Sequence, residues 1–253
     1  MGKRKIGVCL CLWMLVQSMT AQQGSSAMPA WEGGRELPAE MVLHIDTAAY
    51  FTAETVPDAV FARMRGKSYP AGCTVPRNSL RYVKVLHVDL SGAVRMGEIV
   101  CNKRIAGDLV DIFRTLFRHR YPIQSIRLID DFNGDDEQSM RANNTSSFCF
   151  RKVNGAARLS AHAHGMAIDI NPLYNPYCRR LKSGAQKVQP GNAHAYCDRD
   201  AEFPYKIKRN DLLCRLFRRH GFRWGGAWNS VKDYQHFEKA ADRPRRHRVG
   251  LRR

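Results

Sequence analysis

Residues 81–90 read RYVKVLHVDL, in which apolar and polar side chains alternate around Val83, Val85 and Val88, the pattern of a β-strand. Gly92 follows where a turn is needed, and a second strand runs through Ile99, so the segment predicts a hairpin. Beyond it the period changes. Residues 108–118 place Leu109, Ile112, Phe113, Leu116 and Phe117 at helical spacing, and Pro122 closes that segment before a strand over 126–129. The polar residues 135–143 predict a short helix, and a strand follows over 147–153. Residues 210–220 predict a last helix with Leu212, Leu213, Leu216 and Phe217 inward and Gly221 as its stop. Hairpin, helix, strand and helix in this mixed order predict an α+β fold, a single compact domain with a central antiparallel sheet and flanking helices.

The chain has 253 residues, 44% of them hydrophobic, which is enough for one well-buried core and excludes disorder throughout. Its formal charge of +18 predicts attraction to polyanions: nucleic acid, anionic lipid or an anionic cell wall. The first residues narrow that choice. Lys3, Arg4 and Lys5 precede an apolar run over 6–16 that is too short to span a bilayer, so residues 1–21 read as a secretory signal peptide, a retained anchor being the alternative. Cleavage after Ala21 removes three positive charges and no acidic ones and leaves about +15. Residues 22–40, rich in Gly, Ser, Ala and Pro, read as a flexible leader, 41–242 as the domain and 243–253 as a basic tail. The expected location is periplasmic or secreted. Scattered arginines in an exported chain argue against a nucleic-acid partner. Anionic cell-wall polymers are the expected binding surface and a monomer the expected state.

Export also bears on the cysteines. Six remain after position 21, and none sits in a C-x-x-C motif. Cys178 and Cys197 flank one polar excursion and are the first choice for a disulfide, with Cys73 and Cys101 second. Cys149 and Cys214 lie in apolar patterns and read equally as buried thiols or as a third bridge.

The chemistry lies in two later stretches. Residues 160–169 read SAHAHGMAID, and residues 233–238 read DYQHFE. His162, Asp169 and His236 supply two imidazoles and a carboxylate, a set zinc accepts while keeping a fourth tetrahedral position open for water. Asp233, three residues before His236, is placed to take a proton as general base. Spacing alone also allows a simple hydrogen-bonded pair of His162 and Asp169 with His236 on the surface. It likewise allows His162 and His164 to form the metal pair, since both face one side of an extended segment.

Ser160, His162, Gly165, Ala167 and Asp169 match the S-x-H-x-x-G-x-A-x-D signature of a zinc peptidase family, the D-alanyl-D-alanine carboxypeptidases and L-alanyl-D-glutamate endopeptidases. This family includes VanY-like enzymes and phage endolysins. Trp224-Gly225-Gly226, Trp228 and the Asp233–Glu238 block resemble its endolysin-like branch, as do Asn143-Asn144-Thr145-Ser146 and the Asn171-Pro172 and Asn175-Pro176-Tyr177 segments. The resemblance spans roughly residues 80–240 and implies a hedgehog/D-Ala-D-Ala peptidase-like fold. It implies zinc on His162, Asp169 and His236 and Asp233 as the base, with His164 beside the ligands or facing substrate and Ser160 orienting the loop or touching substrate. It further implies an arginine that steadies the substrate carbonyl. Arg151 is the first choice and Arg141 the second, although relatives carry this arginine after a Gly-Tyr where this chain has Asp130-Asp131-Phe132-Asn133. The implied activity is zinc-dependent hydrolysis of D-amino-acid-containing peptide stems of peptidoglycan, as a D,D-carboxypeptidase or an L,D-endopeptidase. The alternative is a non-catalytic wall- or polyanion-binding protein on the same scaffold.

Overall fold

Residues 29–152 and 158–240 are described by the computed structural model. The segments read as signal peptide, 1–21, and basic tail, 243–253, lie outside the described residues. Three short elements, α1 (Ala39–His44), β1 (Thr52–Thr55) and α2 (Asp58–Met64), lead into the hairpin of β2 (Leu80–Val88) and β3 (Val94–Asn102). These two strands pair antiparallel along their whole length, and β1 adds to the free edge of β2. The Asp89 carboxylate closes the turn by accepting hydrogen bonds from the backbone N–H groups of Ser91 and Ala93 and from the Arg95 guanidinium.

The sheet is covered on both faces, so burial along β2 and β3 is nearly continuous rather than alternating. One face packs Val83, Val85 and Ile99 against α3 (Lys103–Arg118), which buries Ile105, Leu109, Ile112, Phe113 and Leu116 at helical spacing. This helix begins five residues before the expected start at 108: Ile105 already continues its apolar stripe, and the Asn102 side chain accepts from the backbone N–H of Arg104 and caps it. The other face packs Tyr82 and Val100 against Val60, Met64 and Phe148. Part of the stretch read as a leader also joins this body: Gly34 and Leu37 donate backbone hydrogen bonds to β3, and Leu37 is buried.

Past α3 the chain breaks into short pieces: β4 (Ser125–Ile126), α4 (Asp136–Arg141), β5 (Asn144–Thr145), β6 (Ala167–Asp169), β7 (Tyr177–Arg180), β8 (Gln186–Gln189), α5 (Leu212–Arg219), β9 (Arg223–Trp224), β10 (Lys232–Asp233) and β11 (His236–Glu238). They form the sheets β6-β11-β9 and β10-β7-β8 and the parallel pair β4-β5. The architecture is α+β in one compact domain. Two expected strands are corrected. Of the first, expected over 126–129, only Ile126 belongs to a strand, β4, since residues 129–132 turn into a 3-10 helix. No strand forms over 147–152; this run instead lends single backbone bonds to Val100, Ser68 and His162.

Cys178 and Cys197 are bridged, as their flanking of one polar excursion predicts. Cys73 and Cys101 are both free, which corrects the second pairing, and Cys149 and Cys214 are buried thiols. Burial pushes the Cys149 and Cys214 thiols up to about 12, which leaves them protonated and inert. Peptide mapping without reductant is expected to recover the 178–197 link, with Cys101, Cys149 and Cys214 alkylated only after unfolding. Replacing both bridged cysteines with serine frees a loop of 19 residues and is expected to cost about 3 kcal/mol, read as a lower urea midpoint.

Candidate metal centre and its cleft

The loop entering β6 is shaped by two residues of the first motif. Ser160 Oγ accepts a hydrogen bond of 3.0 Å from the Ala163 backbone N–H and starts a 3-10 turn over His162–His164. Gly165 ends that turn at φ +64°, with the backbone N of Asn102 2.7 Å from where a Cβ would stand, so a side chain there is both strained and blocked. The chain then straightens into β6, which carries Asp169. β11 pairs antiparallel with β6 and sets His236 directly opposite Asp169. The turn over Gly225–Ala227 packs behind them: a Cβ on Gly225 would lie 2.6 Å from the Asp233 carbonyl oxygen.

His162, Asp169 and His236 therefore meet, although 67 residues separate the last two. His162 Nε2 lies 3.1 Å from His236 Nδ1 and 3.3 Å from Asp169 Oδ2, and His236 Nδ1 lies 3.0 Å from Asp169 Oδ1. Ligands about 2 Å from a tetrahedral ion stand about 3.3 Å apart, so these three side chains fit a divalent metal ion. The far side of each ring is also held. His162 Nδ1 donates to the Ser147 carbonyl oxygen at 2.7 Å, which leaves Nε2 facing the cluster. His236 Nε2 lies 3.5 Å from Glu238 Oε2, and Glu238 is itself paired with Arg223.

Without an ion the cluster holds a proton. Burial opposes charge on His236, but its hydrogen bonds to Asp169 and Glu238 outweigh that and hold it up at about 10. Burial likewise opposes the Asp169 carboxylate, and the two imidazoles win, holding it well below the usual range. A metal ion entering here displaces that proton.

The cluster lies in a cleft of about 530 Å³ lined also by Ser160, Asp233, Arg151, Asp136 and Trp228. Asp233, on β10, is half-buried, with its Oδ1 shut off from solvent and lacking any partner among the described residues, and desolvation pushes its carboxyl up to about 7. Arg151 sits in an irregular segment rather than in the strand expected over 147–153, and its Nη2 is 2.6 Å from Asp136 Oδ2. Burial disfavours the charge on Arg151, and Asp136, with Asp169 and Asp233 beyond it, more than restores it. The cleft thus brings together His162, Asp169, His236, Asp233, Arg151 and Ser160. Arg141 and His164 do not line it. Arg141 pairs with Glu137 and packs beside Gly191, and His164 is exposed with its carbonyl bound by Asn102.

Three participants escaped the sequence reading. Ser147 acts through a backbone carbonyl, which carries no residue signature. Asp136 reads as an ordinary acidic first turn of a helix. Glu238 was visible only as the end of its motif, and alternation puts it on the same face of β11 as His236.

Residues 154–239 match the model of a family described as D-alanyl-D-alanine carboxypeptidase. This match supports the VanY-like zinc peptidase family that the two motifs resemble, and it covers all three metal-cluster residues and Asp233 but not Arg151 or Asp136. No curated protein and no solved structure matches the chain.

Alanine at His162, Asp169 or His236 is expected to abolish stoichiometric metal binding, measured by elemental analysis after gel filtration; full occupancy in the His236→Ala protein would remove that residue from the ligand set. Calorimetric titration of the metal-free protein at pH 8 in buffers of different ionisation enthalpy is expected to show release of about one proton per ion.

Proposed function

From a chain whose residues 154–239 match the D-alanyl-D-alanine carboxypeptidase family, we propose an exported zinc peptidase that cuts D-amino-acid-containing peptide stems of peptidoglycan. The observation that carries this reading is the His162–Asp169–His236 cluster open to a cleft beside a carboxylate, Asp233, whose buried Oδ1 has no partner among the described residues. Two imidazoles and one carboxylate are ligands zinc accepts, and zinc bound there would supply a Lewis acid that polarises the scissile carbonyl and acidifies water.

The remaining work belongs to the chain. Asp233 is close enough to the cluster to feel its charges yet is not one of its members. Its elevated pKa makes it a competent base near neutrality: it takes a proton from the attacking water and returns it to the leaving amine. Arg151 presents a guanidinium to the carbonyl oxygen as negative charge develops there. Asp136 holds that guanidinium in place through the 2.6 Å ion pair. Trp228, with its ring centroid 5.4 Å from that of His236, walls the site. The Cys178–Cys197 bridge supports residence in an oxidising compartment, periplasmic or secreted. Anionic wall polymers are the partners its net charge favours. A binder without catalysis has no use for a partnerless carboxylate beside the metal cluster.

Mass spectrometry of a defined peptidoglycan digest tests the reading: loss of D-alanine or scission within the stem supports it, and an unchanged digest with zinc-loaded protein refutes it. Asp233→Asn is expected to keep zinc and lose about 10²–10⁴ in rate. Because the base must be deprotonated, wild-type turnover is expected to rise with pH through an acid limb at or below about 7, since the positive charge of bound zinc lowers the Asp233 pKa further. The asparagine variant should lack that limb. Arg151→Ala is expected to slow turnover by roughly 10²–10³, and Asp136→Asn to follow it in the same direction with a smaller loss, both read in kcat at saturating peptide.

A further inference from the structure

The cleft has a second charged feature that the hydrolytic chemistry does not use. One of its walls is a face of the β7–β8 hairpin, where Tyr177, Arg179, Lys187 and Gln189 all line the cavity. In the register of the two strands Tyr177 stands opposite Gln189, and Arg179 stands directly opposite Lys187. Like charges directly opposed across an antiparallel pair repel and destabilise it. Among the described residues no hydrogen bond or ion pair reaches either side chain, so no described carboxylate pairs with either cation.

The hairpin is also held in place. The disulfide ties Cys178, between Tyr177 and Arg179, to Cys197, and β10 pairs with β7 on its other edge, setting Asp233 opposite Tyr177. Two fixed cations facing each other across a cleft wall form a site whose repulsion an anion removes. Its distance from the chemistry follows from the strand. Arg179 is two residues along β7 from the row that holds Asp233, about 6.6 Å at strand rise. An extended peptide advances about 3.5 Å per residue, so an anion held there lies one to two residues from a bond positioned beside Asp233.

We infer that Arg179 and Lys187 form an anion subsite that takes a free carboxylate of the peptide being cut. The inference rests on the peptidase reading above and adds what that peptide must carry. A peptidoglycan stem offers two carboxylates of this chemistry: the C-terminal carboxylate of the residue to be released and the α-carboxylate of a γ-linked D-glutamate inside the stem. The first makes the hairpin an exopeptidase determinant, and the second an endopeptidase one.

The test is steady-state kinetics of the full, zinc-loaded protein on three peptides: L-Ala-γ-D-Glu-L-Lys-D-Ala-D-Ala, its C-terminal amide, and the form in which D-glutamate is replaced by D-isoglutamine. Wild type is compared with the double variant Arg179→Gln, Lys187→Gln and with Arg179→Lys. Arg179 is exposed and Lys187 half-buried, so the expected effect is at the low end for charged hydrogen bonds, about a 10-fold rise in KM for the double variant with kcat nearly unchanged. Arg179→Lys keeps the charge and should stay near wild type. The penalty should vanish on the one peptide whose amide has removed the recognised carboxylate, which identifies the source. A wild-type KM in the double variant, or an equal penalty on all three peptides, overturns the subsite. If wild type cleaves none of them the peptidase reading fails, and equilibrium binding of the same peptides decides the subsite separately. Weaker binding by the double variant, confined to peptides that keep the carboxylate, sustains it, and equal binding overturns it. Should the double variant fail to fold, Lys187→Gln alone is read in the same way.

Discussion

The pairing of β11 with β6 is the constraint on which the site depends. It sets His236 opposite Asp169, while on the other side of Asp169 the backbone of Ser146 bonds back to it, and Ser147 then holds the His162 ring. A slip of one residue would turn His236 away and bring Gln235 or Phe237 to its place. The hydrophobic core forbids that slip. Phe237 is fully buried, stacked on Phe217 with ring centroids 4.4 Å apart, and moving it out would forfeit about 2–3 kcal/mol of apolar burial. The demand of one phenylalanine for the core therefore aims the neighbouring histidine into the cleft.

Burial then sets the electrostatics. Asp169, His236 and the Oδ1 atom of Asp233 lie out of water, where an unpaired charge is costly and a paired one is strong. Asp169 and His236 satisfy each other, so the carboxylate stays ionised and the imidazole stays protonated until an ion replaces the proton. Asp233 has no such partner, and the same burial drives its carboxyl the opposite way. Two aspartates in one cleft thus diverge in proton affinity because of the company each keeps, and that divergence separates a ligand from a base.

How much of this was legible in the sequence depends on the range of the signal. The 81–102 hairpin and the helix after it declare themselves through local period, and Asn102, which caps that helix, with Ile105 in its first turn marks a start earlier than the expected 108. The strand expected over 147–153 failed because its residues serve different neighbours: Phe148 enters the core behind β3, while Ser147 offers its carbonyl to a histidine. The Cys178–Cys197 bridge follows from two cysteines flanking one excursion, whereas the Cys73–Cys101 pairing rested on order along the chain, and Cys101 is enclosed in the core of β3.

By itself the sequence determined which chemistry is on offer. Residue types at fixed spacing, His162 with Asp169 and Asp233 with His236, limit the ligands and the base, and Gly165 between the first pair lets the backbone turn. Tertiary structure decided which side chains share the cleft. It admitted Arg151 by pairing it with Asp136, left Arg141 beside Glu137 and His164 at the surface, and brought Arg179 to face Lys187 across a hairpin. The physical reason is that local spacing governs direction over a few residues only, whereas proximity over tens of residues is set by strand register and by what the core will bury.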